Sequence, residues 1–286
     1  MRLVTFRHEN RERIGVQLES PILDLSRASA GIPTDMKSFL SMGETALVQT
    51  HEAIDSVKED WFLPASDVTL LAPVPRPDKI LCIGHNYQGH IGIGKTEPPE
   101  YPNLFCKTVN TITGHDRPII VPPASQQADF EAELMVVIGK RAYRVTEEEA
   151  QTCVAGYTIF NDVSARDYQK RTTQWMLGKS FDTFGPMGPA LVTRDEVCNP
   201  HMLELQLTLN GVPQQSVNTR DMIFSVYYLI SYISQVMTLE VGDVIATGTP
   251  ARLPEAAEQK RFLRAGDVVE ITIEKLGTLR NTVMSS

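Results

Sequence analysis

The chain lacks any apolar run that approaches the length of a bilayer, which excludes a protein that crosses the membrane by helices. It also lacks a basic surplus. Lys and Arg number 27 against 35 Asp and Glu, a formal net charge of −8, and the basic residues are scattered. Nucleic-acid binding draws on clustered Lys and Arg, so no nucleic-acid partner is expected. Cysteine is scarce: Cys82, Cys106, Cys153 and Cys198 stand far apart in mostly apolar surroundings, a pattern that fits reduced core thiols and neither a disulfide framework nor a zinc site. Internal repeats, low-complexity tracts and heptads are absent, which removes solenoids and coiled coils. The opening segment MRLVTFRHENRERIGVQL has no long apolar core of the secretory kind, and the expectation drawn from it is a cytoplasmic protein.

What remains is a chain of 286 residues with an ordinary apolar fraction, long enough to bury a large core. Residues 1–75 read as a small N-terminal α/β module: the short strands RLVTFRH and RIGVQLE, then an amphipathic stretch, DMKSFLSMGETALVQTHEAIDSV, with helical spacing. The proline-rich segment APVPRPDK marks a boundary, and residues 76–286 follow as a second, strand-rich domain. Its strand candidates are KILCIG, LMVVIG, GYTIFND, PALVT, LELQLTLNG, DVIATGT and DVVEITIEKLG, each bounded by Gly, Pro, Asn or Asp. One helix, MIFSVYYLISYISQVM, is apolar around most of its circumference and is expected to lie against the sheet. Strands and helices do not alternate regularly, so the fold class is mainly β (α+β), with antiparallel or mixed sheets.

The chemistry begins in DFEAELMVVIGK, residues 129–140, read as one strand covered on both faces. Asp129, Glu131 and Glu133 fall on the same side, and carboxylates spaced roughly 7 Å apart along a buried strand repel one another and lose hydration. Such a pair raises a pKa or demands a cation. A third carboxylate, Asp162, ends the strand of GYTIFNDVSARDYQKR, ahead of a helix that Ser164 is expected to cap. Three carboxylates without a soft ligand suit a hard divalent ion, Mg²⁺, with Mn²⁺ or Ca²⁺ able to substitute. The competing reading is an exposed edge strand with solvated charges.

KILCIGHNYQGH, FEAEL, NDVSARDYQ, GKSFDTFGPMGP and GDVIATGTP occur in this order, and together they resemble the fumarylacetoacetate hydrolase family over residues 76–286. The N-terminal residues resemble the small domain that often precedes that catalytic domain. The resemblance implies a twisted β-roll or incomplete barrel, a homodimer, metal ligation by Glu131, Glu133 and Asp162, and a 2-oxo acid substrate that chelates the metal. It also makes Lys179 the substrate lysine, whose charge would stabilise a developing oxyanion. Arg166 and Gln169 lie three apart after Asp162 and face it, where they can orient substrate or water; Arg166 reads equally as an ion-pair partner. Thr249, in a Gly-Thr-Pro turn, offers a hydroxyl and an N–H to a carboxylate.

Two departures stand out. The family usually follows the Gly-Thr-Pro turn with small glycines, whereas this chain reads GTPARLPEAAEQKRF and places Arg252 there, either to narrow the pocket or to pair with an acidic substrate. In the segment that resembles the family's lid, His90 is present but the glutamate that usually follows three residues later is Ile93. Glu97 or Glu100 is the alternative partner, and His85 and His115 are further titratable groups nearby. The leading expectation is therefore a metal-dependent hydrolase cleaving a C–C bond of an acylpyruvate or fumarylacetoacetate-like substrate, with His90 and Lys179 catalytic. Decarboxylation of an oxaloacetate-like acid, or isomerisation or hydration of a 2-oxo acid, stands beside it, since these depend less on activated water. A metal-binding module without activity is the reading from outside enzymology.

Overall fold

The computed structural model describes residues 1–18, 21–28, 31–56, 58–90, 97–259 and 261–286. At the N-terminus, alternating residues form β1 (Arg2–His8) and β2 (Arg11–Gln17). Glu9 and Asn10 join them with φ of 49° and 59°, the left-handed pair that suits a two-residue hairpin turn. The amphipathic stretch that follows is two helices and not one: α1 (Met36–Ser41), capped by the Asp35 side chain, and α2 (Glu44–Asp55). Gly43, at φ 58°, turns the chain between them, a conformation that glycine adopts without steric cost.

The remaining principal elements are β3 (Ile80–Gly84), β4 (Asn103–Lys107), β5 (Ala132–Ile138), α3 (Glu147–Cys153), β6 (Val154–Asn161), α4 (Arg166–Gln169), α5 (Met176–Lys179), β7 (Gly185–Thr193), β8 (Glu204–Leu209), β9 (Val212–Asn218), α6 (Val226–Ser234), β10 (Val244–Ala246), α7 (Pro254–Glu258), β11 (Val268–Ile273) and β12 (Gly277–Ser285). The expected long helix is shorter than its apolar run. It starts after Ser225, whose side chain accepts from the Tyr228 N–H, and residues 222–224 stay outside it.

Among the described residues, twelve strands share one mixed sheet. Its central order is β2-β1-β7-β6-β5-β10-β3-β4, antiparallel except where β10 runs parallel to β3. A second sheet has the order β9-β8-β11-β12, with Ile119–Val121 beside β12. The fold is thus mostly β, as the short, turn-bounded strands predict. The N-terminal residues enter the main sheet directly, since Leu3 of β1 pairs with Leu191 of β7.

β5 and β6 sit at the centre of the main sheet, and every residue of β5 is buried. Ala132, Leu134, Val136 and Ile138 face a core shared with α6 and the second sheet. Met135 and Val137 face the opposite core, which holds Leu3, Ile14, Phe39 and Leu40 from the N-terminal residues. Period-two alternation therefore feeds two separate cores from one strand. That cover keeps water from the strand end where the acidic residues lie.

Leu3 is fully buried in this second core. Leu3→Ala is expected to cost about 2–5 kcal/mol through loss of burial and the cavity left behind. Urea unfolding should show one transition with a lowered midpoint; a separate early transition carrying the whole loss would mean that the N-terminal residues pack as an independent unit.

Candidate metal centre

The strand expected over residues 129–140 is interrupted at its acidic end. Ala128–Asp129 pairs with Ser164–Ala165 in a small separate ribbon, and β5 begins only at Ala132. Between them the backbone turns to the end of β6: the Glu131 N–H donates to the Asn161 side chain at 3.0 Å, and the Asp162 N–H donates to the Glu131 carbonyl at 2.9 Å. Ser164 is drawn into the ribbon and its hydroxyl donates to the Asp162 carbonyl at 2.9 Å, so it does not cap α4 as expected; Ala165 holds the cap position without a side-chain bond. The crossing brings Glu131, Glu133 and Asp162 together, with one carboxylate oxygen from each within 4.8 Å of the others and all three residues buried. A solvated edge strand is excluded.

Cations converge on these carboxylates from distant parts of the chain. The Lys179 ammonium contacts Glu131 at 2.6 Å and Asp162 at 2.5 Å and lies 4.9 Å over the Phe105 ring. Arg166 donates to Glu131 at 2.6 Å, to Asp129 at 3.0 Å and to Gln169 at 2.9 Å, so it is the ion-pair partner, one of the two roles expected of it. Lys107, at the end of β4, was not anticipated. Its ammonium is wholly buried and bonds Asp162 at 2.6 Å and the Val163 carbonyl at 3.0 Å. Burial alone would push the Glu131 carboxyl up, but Arg166 and Lys179 outweigh it and hold it well below the usual range. Burial, then the charges of Asp162 and Glu131, push Glu133 well above that range. Burial pulls Lys107 below an ordinary lysine despite Asp162, whereas in Lys179 the two carboxylates overcome burial and keep the ammonium charged.

Two glycines permit this approach. Gly248 takes φ +102°, and a Cβ there would stand 2.8 Å from the Asn86 side chain; its N–H donates to Glu133 at 2.7 Å. A Cβ on Gly178 would meet the Gln169 backbone at 2.5 Å, so glycine lets α5 press onto α4 and bring Lys179 inward.

The Thr249 hydroxyl is taken up within the protein, accepting from Gln215 at 2.9 Å. Gln215 is a second unanticipated residue. Its amide oxygen accepts from the Ala132 N–H, between two of the carboxylates, while its amide nitrogen holds Thr249 and the Pro250 carbonyl. His90 donates a ring N–H to that same Pro250 carbonyl, and burial lowers its pKa against an opposing pull from Glu131. Its ring centroid lies 5.9 Å from that of His85. His115 is engaged elsewhere, accepting from the Arg280 N–H. Ile93 lies outside the described residues, and Glu100 bonds Tyr101. Arg252 bonds Asp129 and Gln214. All four cysteines are free; Cys82 and Cys153 are buried as expected, whereas Cys106 and Cys198 are exposed.

The donor set fits a hard divalent ion. All three candidate ligands are carboxylates, and Glu133, which burial and then the charges of Asp162 and Glu131 push toward its protonated form, is the one with no direct cation partner among the described residues. The nearby Cys82 thiol is no competitor, because burial and then Asp162 and Glu133 push its pKa well up and keep it from becoming a thiolate.

Residues 79–284 match the family described as fumarylacetoacetate (FAA) hydrolase C-terminal, and the chain belongs to that family. It is 43% identical to the mitochondrial oxaloacetate tautomerase of Xenopus laevis, over 99% of this chain and 90% of the relative. Among solved structures, maleylpyruvate hydrolase from Sphingobium, in complex with manganese(II) and pyruvate, matches at a TM-score of 0.84 and 29% identity, covering 100% of both chains. The 5-carboxymethyl-2-hydroxymuconate delta-isomerase of Mycobacterium smegmatis matches at 0.78 and 32%, covering 100% of this chain and 99% of the other. These likenesses join the chain to enzymes of 2-oxo acid chemistry and support a divalent metal, without selecting hydrolysis. They also correct the cytoplasmic expectation, since curated relatives at 41–43% identity are named as mitochondrial proteins. The error has a physical source: segments that direct proteins to mitochondria are basic and amphipathic, so lack of an apolar secretory core speaks only to secretion.

Ala at Glu131, Glu133 or Asp162 is expected to abolish Mn²⁺ binding measured by calorimetry; near-normal affinity in Glu133→Ala would remove Glu133 from the site. Lys107→Met should cost about 3–5 kcal/mol in urea unfolding, because it strips a buried carboxylate of one counter-charge. A loss below about 1 kcal/mol would show that Lys179 alone compensates Asp162.

Proposed function

We propose that this member of the fumarylacetoacetate hydrolase family is a Mg²⁺-dependent tautomerase that interconverts the enol and keto forms of an oxaloacetate-like 2-oxo acid. The observation that carries the reading is the setting of His90. The carboxylate acting on its ring is Glu131, itself a candidate metal ligand, and a separate glutamate partner of the kind that activates water is not found among the described residues. The likeness to oxaloacetate tautomerases over nearly the whole chain supports the same choice.

Tautomerisation moves one proton between C3 and the C2 oxygen, and consumes neither water nor an oxidant. Glu131, Glu133 and Asp162 would hold a divalent ion, which when bound would supply Lewis acidity for a keto oxygen. Lys179 and Arg166 place fixed positive charge beside the carboxylates, where the oxygen of an enolate gains negative charge. His90 spends one ring N–H on the Pro250 carbonyl, which leaves its other nitrogen with a lone pair. Burial keeps the ring neutral at physiological pH, so that nitrogen can take the C3 proton and return one. Hydrolysis of an acylpyruvate asks more of the same group, since it must raise water to a nucleophile without a partnered carboxylate.

With Mg²⁺ present, the protein should accelerate decay of the enol absorbance of oxaloacetate, EDTA should stop it, and acetylpyruvate should be cleaved far more slowly. Efficient acetylpyruvate cleavage without enol–keto interconversion would overturn the proposal. His90→Gln should lower kcat by about two to three orders of magnitude while Mn²⁺ affinity stays unchanged. Because burial lowers the His90 pKa, the active neutral form persists to lower pH. The acid limb of kcat/KM is therefore expected below the ordinary imidazole value of about 6.5, and it should vanish in His90→Gln.

A further inference from the structure

We propose that Arg252 is the residue that selects a 2-oxo acid carrying a second carboxylate, by pairing with that distal group; the assignment rests on the substrate class proposed above. Exposure orders the site's cations. Lys107 and Lys179 are sealed at the Asp162 end, with side-chain accessibilities of 0% and 1%, while Arg166 and Arg252 retain 16% and 12%. Of the four cations, the two arginines are therefore the ones that solvent still reaches.

Asp129 fixes them side by side. One of its oxygens accepts from Arg166 at 3.0 Å and the other from Arg252, so two cations flank a single carboxylate that is 3% exposed. Arg166 is shared further with Glu131 and Gln169. Arg252 is bonded to Asp129 and to Gln214 at 3.1 Å, and its guanidinium has N–H donors beyond those two bonds. Its guanidinium carbon lies 4.1 Å from the centroid of the Phe130 ring, a cation–π contact that adds to its fixation.

The loop that carries Arg252 is fixed to the site floor. Gln215 binds Thr249 and Pro250, and the Gln214 carbonyl accepts from the Leu253 N–H at 2.8 Å, so adjacent residues of β9 grip both sides of Arg252. His90 bonds the carbonyl of Pro250, two residues before Arg252 in the same loop. Arg252 is joined to the candidate ligand Glu131 through Asp129 and Arg166, and the proposal accordingly sets C1 and the keto oxygen of a four-carbon substrate at the acidic cluster and C4 at Arg252. Pre-arranged charge of this kind discriminates by leaving a cation poorly paired when the ligand lacks the anion.

The test uses Mn²⁺-loaded protein and two four-carbon ligands, oxaloacetate and 2-oxobutyrate, which differ in carrying a carboxylate or a methyl group at C4. Calorimetry should give the wild-type protein a preference for oxaloacetate that weakens with added salt. Arg252→Met should reduce that preference by about ten- to a hundredfold, erase its salt dependence and hold 2-oxobutyrate affinity within about twofold. Arg252→Lys, which keeps the charge, should retain part of the preference and serves as the readout if the Met variant folds poorly. Equal loss of both ligands would make Arg252 a structural latch and overturn the proposal, as would an unchanged preference. A wild-type protein that prefers oxaloacetate but leaves its enol form untouched would sink the tautomerase reading and leave the Arg252 assignment standing.

Discussion

The structure turns on the burial of carboxylates that cannot be buried alone. Glu131, Glu133 and Asp162 share a space small enough for one oxygen of each to lie within 4.8 Å of the others, and Asp129 is buried beside them. An uncompensated charge in such a place costs several kcal/mol even after relaxation. Every element that reaches the site brings compensation: Lys107 at the end of β4, Arg166 at the start of α4, Lys179 at the end of α5, the Gly248 N–H after β10 and Arg252 beyond it. The order β5-β10-β3-β4 in the main sheet places the ends of these distant segments near one another. Removing the acidic cluster would leave several buried cations with no reason to be there, so fold and site specify each other.

Much of this was legible in the chain. Apolar alternation identified β5 as a strand covered on both faces, and two separate cores now account for the two faces. The Glu-x-Glu spacing and the later Asn161-Asp162 pair suggested the cluster because carboxylates on a covered strand call for a cation. Lys107, Gln214 and Gln215 escaped notice because nothing in their neighbours separates a buried lysine or amide from a surface one. Their roles arise from contacts 55, 38 and 83 residues away in sequence. The interruption at Phe130–Glu131 escaped for the same reason, since the bonds from Asn161 and Asp162 that pull the backbone aside are invisible to a local pattern. The error at Ser164 was local in origin: its hydroxyl had a backbone acceptor closer than the helix end.

Fold likeness does not choose the reaction. Comparable structures include a hydrolase and an isomerase, with TM-scores of 0.84 and 0.78. The difference between such enzymes has to reside in a few groups placed around a common acidic cluster. In the reading proposed here one such group is His90, whose ring bonds the Pro250 carbonyl and whose pKa burial lowers, which favours the neutral form. A neutral imidazole can serve as general base toward carbon or toward water, so the choice between these reactions rests on the groups placed around it.

Charge balance connects the deep and outer halves of the pocket. Four carboxylates, Asp129, Glu131, Glu133 and Asp162, are met by four cations, Lys107, Arg166, Lys179 and Arg252, so the fully ionised set sums to zero. A divalent ion entering this neutral set adds two positive charges in a space that excludes most water. A 2-oxo acid with one carboxylate would offset half of that excess, whereas one with two carboxylates would offset all of it. The low dielectric that makes the acidic cluster costly also makes this mismatch costly. The preference for a dianionic substrate that we propose would follow from the same constraint that assembled the site, with the outermost cations as the place where it is read.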